Sequence, residues 1–200
     1  MSLSKQGIVN IADNDALVVV DLQNDFLPGG SLAVLGGDEI IPVINQYIGL
    51  FHAKGLPIFT TQDWHPADHC SFKAEGGIWP VHCVADTHGS LFPEGLKLPD
   101  STVSILKAVD KTKEAYSGFG GSDLNKRLKS ANVKRLFIGG LTTDYCVLNT
   151  VKDALQNGFE VFFLIDAIRA VNVAPDDGKR AIDEMLALGA VAIEYDDITP

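Results

Sequence analysis

Short unbroken runs of branched apolar residues recur along the chain, at Ala16–Asp21, Leu56–Thr61, Thr102–Leu106, Val133–Gly139, Glu160–Ile165 and Val191–Glu194. A strand buried on both faces carries such a run, because nothing then forces polar residues onto alternate positions. Between the runs lie segments with apolar residues three and four apart: Asp38–Lys54, with Ile40, Ile41, Ile44, Ile48 and Phe51, then Leu124–Ser130, Asp144–Asn157 and Asp176–Leu188. Glycines close three of these segments, at Lys54-Gly55, Asn157-Gly158 and Leu188-Gly189, where a left-handed residue lets the chain leave a helix. The alternation predicts an α/β fold with three layers, a doubly wound, six-stranded, mainly parallel sheet carrying helices on both faces. One connection is out of proportion: roughly 38 residues, 64–101, separate the second and third strands, and loops beyond about 15 residues are usually functional or disordered. This one holds Trp64, Phe72, Trp79, Phe92 and four of the five histidines, a composition suited to packing over a site. The 200 residues are expected to form a single domain.

Composition narrows the function. With 16 basic against 26 acidic residues the net charge is −10, which repels phosphate backbones and anionic lipid surfaces, so nucleic acid and membranes are not the expected partners. The longest apolar runs fall far short of the roughly 20 residues that cross a bilayer. Met1–Asp15 does not read as a signal peptide, and three cysteines cannot all pair internally; both point to a cytoplasmic protein with reduced thiols.

In a doubly wound sheet, ligands bind beyond the carboxyl ends of the strands. The polar residues just after each apolar run are therefore the first candidates: Asp21, Asp63, Lys107, and the segment Gly139-Gly140-Leu141-Thr142-Thr143-Asp144-Tyr145-Cys146. Cys146 falls in the first turn of the following helix, where free N–H groups are expected to lower a thiol pKa from about 8.5 and make it a nucleophile; otherwise it is a small core residue. Cys70 and Cys83 have no such setting. Lys107 directly follows Ile105-Leu106, whereas Lys111 and Lys113 lie in a polar connector, so Lys107 is the cation expected beside Asp21 and Cys146. Asp63 and His65, with His69 and His82 farther along the loop, offer ligand types that suit a borderline divalent metal. Aspartate and histidine two apart also occur as hydrogen-bonded loop residues, so these residues alone leave a metal undecided. His52 and His88 have no evident partner.

Five motifs together carry a resemblance: Val20-Asp21-Leu22-Gln23-Asn24-Asp25-Phe26 with Pro28-Gly29-Gly30-Ser31, Asp63-Trp64-His65-Pro66 with His69, Trp79-Pro80-Val81-His82-Cys83, Ala115-Tyr116-Ser117-Gly118-Phe119, and Thr143-Asp144-Tyr145-Cys146. From about Ala16 onward the chain resembles the nicotinamidases of the isochorismatase-like cysteine hydrolase superfamily. The resemblance implies a catalytic triad of Asp21, Lys107 and Cys146. It implies one divalent metal ion, zinc before manganese or iron, on Asp63, His65 and His82, with His69 an occasional or outer ligand. Aromatic walls for a pyridine ring would come from Phe26, Trp79 and Tyr116. An oxyanion hole would come from the N–H groups of Thr142 and Cys146, with a cis peptide before Thr142. The implied reaction is nicotinamide to nicotinic acid and ammonia in NAD salvage, on a small-molecule substrate, with homo-oligomerisation left open. The departure is Thr142, where the comparable residue is commonly Ala. The alternatives are another hydrolase of the superfamily acting on a different small amide or vinyl ether, and a binding protein that keeps only the fold.

Overall fold

The computed structural model describes residues 8–199; the N-terminal reading of residues 1–7 lies outside them. Six parallel strands form the central sheet in the order β4-β3-β2-β5-β6-β7, with β2 Asp15–Val20, β3 Ile58–Asp63, β4 Val103–Lys107, β5 Arg135–Leu141, β6 Glu160–Arg169 and β7 Val191–Ile193. This is the α/β architecture that the unbroken apolar runs predict. Alternate residues of β2 feed two separate cores. Ala16, Val18 and Val20 pack with α2 (Leu124–Ser130), α3 (Leu148–Gln156) and α4 (Asp177–Ala187), through Leu128, Val151 and Met185. Leu17 and Val19 pack with α1 (Ile41–Ala53), through Ile44, Ile48 and Phe51.

After β2 the chain builds outward through β3 and β4, and then β5 returns to the opposite side of β2. The crevice between the ends of β2 and β5 is therefore the switch point at which such sheets bind ligands. The two strands approach so closely there that a Cβ on Gly140, at φ +120°, would lie 2.1 Å from the Val20 carbonyl oxygen.

The differences from the expected elements are local. β2 stops at Val20, one residue before the expected end, because Asp21 takes a left-handed φ of 45°. β3 runs on to Asp63 rather than stopping at Thr61, since its ladder with β4 continues to the Asp63–Lys107 pair. β6 runs past Ile165 to Arg169, and Asp166, which interrupts the apolar pattern, is used by Tyr47 Oη and the Tyr195 N–H. The helix expected over Asp38–Lys54 opens with a tight turn at Asp38–Ile40, and α1 starts at Ile41 beside Pro42. The helix expected from Asp144 is divided into a wide π turn, Thr143–Val147, and α3. Two strands absent from the expectation, β1 (Val9–Asn10) and β8 (Ile198–Thr199), pair with each other outside the main sheet. Among the described residues no helix is long and apolar enough to cross a membrane.

Candidate active site

β2, β4 and β5 deliver Asp21, Lys107 and Cys146 to one buried point beneath the cleft. Lys107 is the last residue of β4, opposite Asp63 in the ladder. Its Nζ lies 2.9 Å from Asp21 Oδ2, 2.5 Å from Asp63 Oδ1 and 3.5 Å from Cys146 Sγ, and donates to the Ala115 carbonyl at 3.1 Å. Lys111 and Lys113 instead pair with Asp68 and Asp110 on the exposed surface.

Burial shapes the protonation of this group. Asp21 is withdrawn from water, which outweighs the attraction of Lys107 and raises its pKa to about 6. For Asp63 burial also acts upward, but Lys107, then His65, pull harder, and its carboxyl stays below the usual range. Burial acts to lower the pKa of Lys107, but the two aspartates, with Cys146, outweigh it and hold the pKa well above normal. The Cys146 thiol is the correction to the expected helix-terminus effect. Burial pushes it well above its ordinary value, Lys107 offsets only part of that, and Asp21 adds to the rise. A π turn precedes α3, and the sulfur lies under the cleft floor among carboxylates, so the thiol is neutral at rest.

Asp21 Oδ1 accepts from Thr61 Oγ1 at 2.6 Å, while Oδ2 faces Lys107 without a well-aligned hydrogen bond. Thr61 was not singled out in the sequence: a threonine within a strand looks like any other β-branched residue. Oδ2, 2.9 Å from the Lys107 ammonium, is the oxygen that Thr61 leaves unoccupied.

Beside this group, donor atoms of Asp63, His65 and His82 lie within 4.8 Å of one another, all three residues buried. The set fits a divalent cation on three counts. His82 Nδ1 hydrogen-bonds the Pro80 carbonyl at 2.8 Å, which leaves Nε2 with its lone pair. His65 Nδ1 is buried without a partner. Burial lowers the pKa of His65 to about 4, so it is in the neutral form that ligates. A second cluster, Asp21, Asp63 and Cys146, already surrounds the Lys107 ammonium and has no room for an ion. His69 stays outside both: Nδ1 meets Ser71 Oγ at 2.8 Å and Nε2 meets the Lys113 carbonyl at 3.1 Å.

The cleft above measures about 370 Å³ with its solvent-open mouth and is lined by Phe26, Trp79, Tyr116, Thr142 and Cys146, among others. Trp79 Nε1 donates to Tyr116 Oη at 3.1 Å, which locks the two rings together. Five lining residues lie outside the expected site: Leu32, Ser71, Glu114, Val171 and Tyr145, the last with its ring 4.8 Å from Trp79 and 5.3 Å from Tyr116. Tyr145 sits next to Cys146 in the chain, which was the available signal. The peptide between Leu141 and Thr142 is cis. Cys70 and Cys83 do not line the cleft, and His52 and His88 are exposed away from it.

Residues 15–197 match the model of the isochorismatase domain. A nicotinamidase of Escherichia coli is 36% identical over 196 residues, covering 88% of this chain and 92% of that protein. Among solved structures, a pyrazinamidase of Pyrococcus horikoshii in complex with zinc is 48% identical with a TM-score of 0.87, covering 91% of this chain and 99% of that one. A protein of L. infantum in complex with nicotinate is 34% identical with a TM-score of 0.89, covering 96% and 98%.

Proposed function

The chain belongs to the isochorismatase family, and from that premise we propose that it hydrolyses nicotinamide to nicotinic acid and ammonia through a thioester on Cys146. It is an amide C–N hydrolase. The observation that carries the reading is the placement of one ammonium, Lys107 Nζ, against two carboxylates and a thiol directly under an aromatic cleft.

With the carboxamide carbon above Cys146, Asp21 Oδ2 takes the thiol proton as sulfur attacks, and Lys107 balances the charge. The carbonyl oxygen becomes an oxyanion between the N–H groups of Thr142 and Cys146. Asp21 returns its proton to the departing nitrogen, and ammonia leaves the thioester. Asp21 then deprotonates a water, which attacks the same carbon, and nicotinic acid is released with the thiol restored. Each turnover consumes one water and one amide.

A divalent ion, which we take to be zinc, would be held by Asp63, His65 and His82 and would supply Lewis acidity and open coordination positions for orienting the pyridine nitrogen. Phe26, Trp79 and Tyr116 would stack on and edge against the ring, with Tyr145 closing the wall. An aliphatic amide has no use for such a lining, which favours a flat heteroaromatic substrate over other amides of the superfamily. Such a reaction belongs to NAD salvage in the cytoplasm, where three free cysteines stay reduced.

The test is ammonia release from nicotinamide by the zinc-loaded protein. Stoichiometric ammonia and nicotinate are expected; loaded protein that releases neither overturns the reading.

A further inference from the structure

Gln23 is fully buried, lies two residues after Asp21 in the same motif, and has no part in the steps above. β2 pairs with β3 as far as Val19 opposite Thr60. The Asp21 N–H still donates to the Thr61 carbonyl at 3.2 Å; beyond that rung the left-handed Asp21 swings the main chain aside, and the Asp63 N–H, at the end of β3, meets no β2 backbone group. The side-chain amide of Gln23 takes that place. Its Oε1 accepts the Asp63 N–H at 2.9 Å, and its Nε2 donates to the Asp63 carbonyl at 2.8 Å and to the Ser90 carbonyl at 2.9 Å. One amide orientation alone satisfies all three contacts.

A carboxamide carries the same donor and acceptor as a peptide, so Gln23 adds one more rung to the ladder with a side chain. The residue it grips has two duties. Asp63 Oδ1 meets Lys107 at 2.5 Å, and Oδ2 faces His65 Nε2 at 3.8 Å. A rotation of the Asp63 backbone would misdirect its second oxygen before breaking the short ion pair on the first.

We propose that Gln23 is a positioning residue for the metal centre: by holding the Asp63 N–H and carbonyl together it aims the carboxylate at the space shared with His65 and His82, and so sets how tightly the cleft binds its ion. This rests on Asp63, His65 and His82 being the metal ligands. The competing role, a mere tether for the long loop, is separable, because Gln62 Nε2 donates to the same Ser90 carbonyl at 3.0 Å.

The experiment measures zinc affinity of the full chain by competition with a chromophoric chelator, alongside thermal unfolding of the metal-free protein. Gln23→Met is expected to bind zinc about 10- to 100-fold more weakly, the usual effect of losing a partner that orients a ligand. Raising free zinc should then restore its turnover. Gln23→Glu, which keeps an acceptor for the Asp63 N–H, should fall between, and Gln62→Met should match the unaltered protein. If Gln23→Met does not fold, Gln23→Glu against Gln62→Met decides. Unchanged zinc affinity in the Gln23 variants overturns the proposal, as does an equal loss in Gln62→Met, which would assign the effect to the loop. Absence of zinc binding in the unaltered chain would instead overturn the ligand assignment, and is seen before any variant is made.

Discussion

On one side of the cleft Lys107 closes β4 within the ladder to β3, and Asp21 and Cys146 follow directly on the ends of β2 and β5, the first at a left-handed residue and the second in a π turn. On the other side His65, Trp79 and His82 come from the long connection after β3. That segment has no strand of its own and is held by isolated main-chain bonds, such as the His65 N–H to the Cys83 carbonyl and the Trp79 N–H to the Ser71 carbonyl, both at 3.0 Å, and by side chains: Asp25 accepts the Cys83 N–H at 2.7 Å, and Gln23 and Gln62 reach the Ser90 carbonyl. The strand side gathers the groups suited to covalent chemistry, which needs atoms held to a fraction of an ångström. The loop side gathers those suited to ion and ring binding. Asp63 belongs to both, and damage to the two sides should therefore look different.

The largest effect is expected from Cys146→Ala, which should reduce turnover by about 10⁴-fold or more while zinc content stays unchanged. Zinc analysis beside an ammonia assay checks this, and surviving turnover would detach the chemistry from the strand side. Lys107→Ala should cost about 10³-fold in kcat by removing the cation beside base and nucleophile. It should also cost about 3–5 kcal/mol of stability in urea unfolding, because two buried aspartates lose their partner. Lys111→Ala, an exposed pair, should change neither by more than about twofold.

His82→Ala strikes the loop side. Its zinc affinity should fall by at least about 10-fold with KM for nicotinamide rising in step, and excess zinc should restore turnover in part. The last expectation concerns pH. Asp21 must be ionised to accept the thiol proton, and its pKa is raised to about 6, so kcat/KM should fall roughly tenfold per unit below that pH and level off above it. An acid limb near 4 would show that the base is less buried than its surroundings indicate.

The strand side was largely legible in the sequence. A polar residue closing an apolar run must emerge at the carboxyl edge of a parallel sheet, which marks Asp21 and Lys107, and Cys146 is marked by its place in the first turn after the fourth apolar run. The distinction of Lys107 from Lys111 and Lys113 came from the same rule. The histidines were visible as residue types but not as a set, since a loop's course has no periodicity to read. Thr61 was hidden because nothing local marks a partner 40 positions away. The state of the Cys146 thiol is hidden from the sequence for a related reason. Local position suggests a helix terminus, whereas the charge state follows from desolvation and from aspartates delivered by other strands.

The tight crossing at Gly140 sets a boundary for protein engineering. With the Val20 carbonyl only 2.1 Å from where a Cβ would stand, any side chain there must prise apart the two central strands that lead into Asp21 and Cys146. A library that randomises this segment would consist mostly of chains that fail to fold. Diversity for bulkier or differently shaped amides is better spent at Leu32 and Val171, which face the same cleft from outside the sheet.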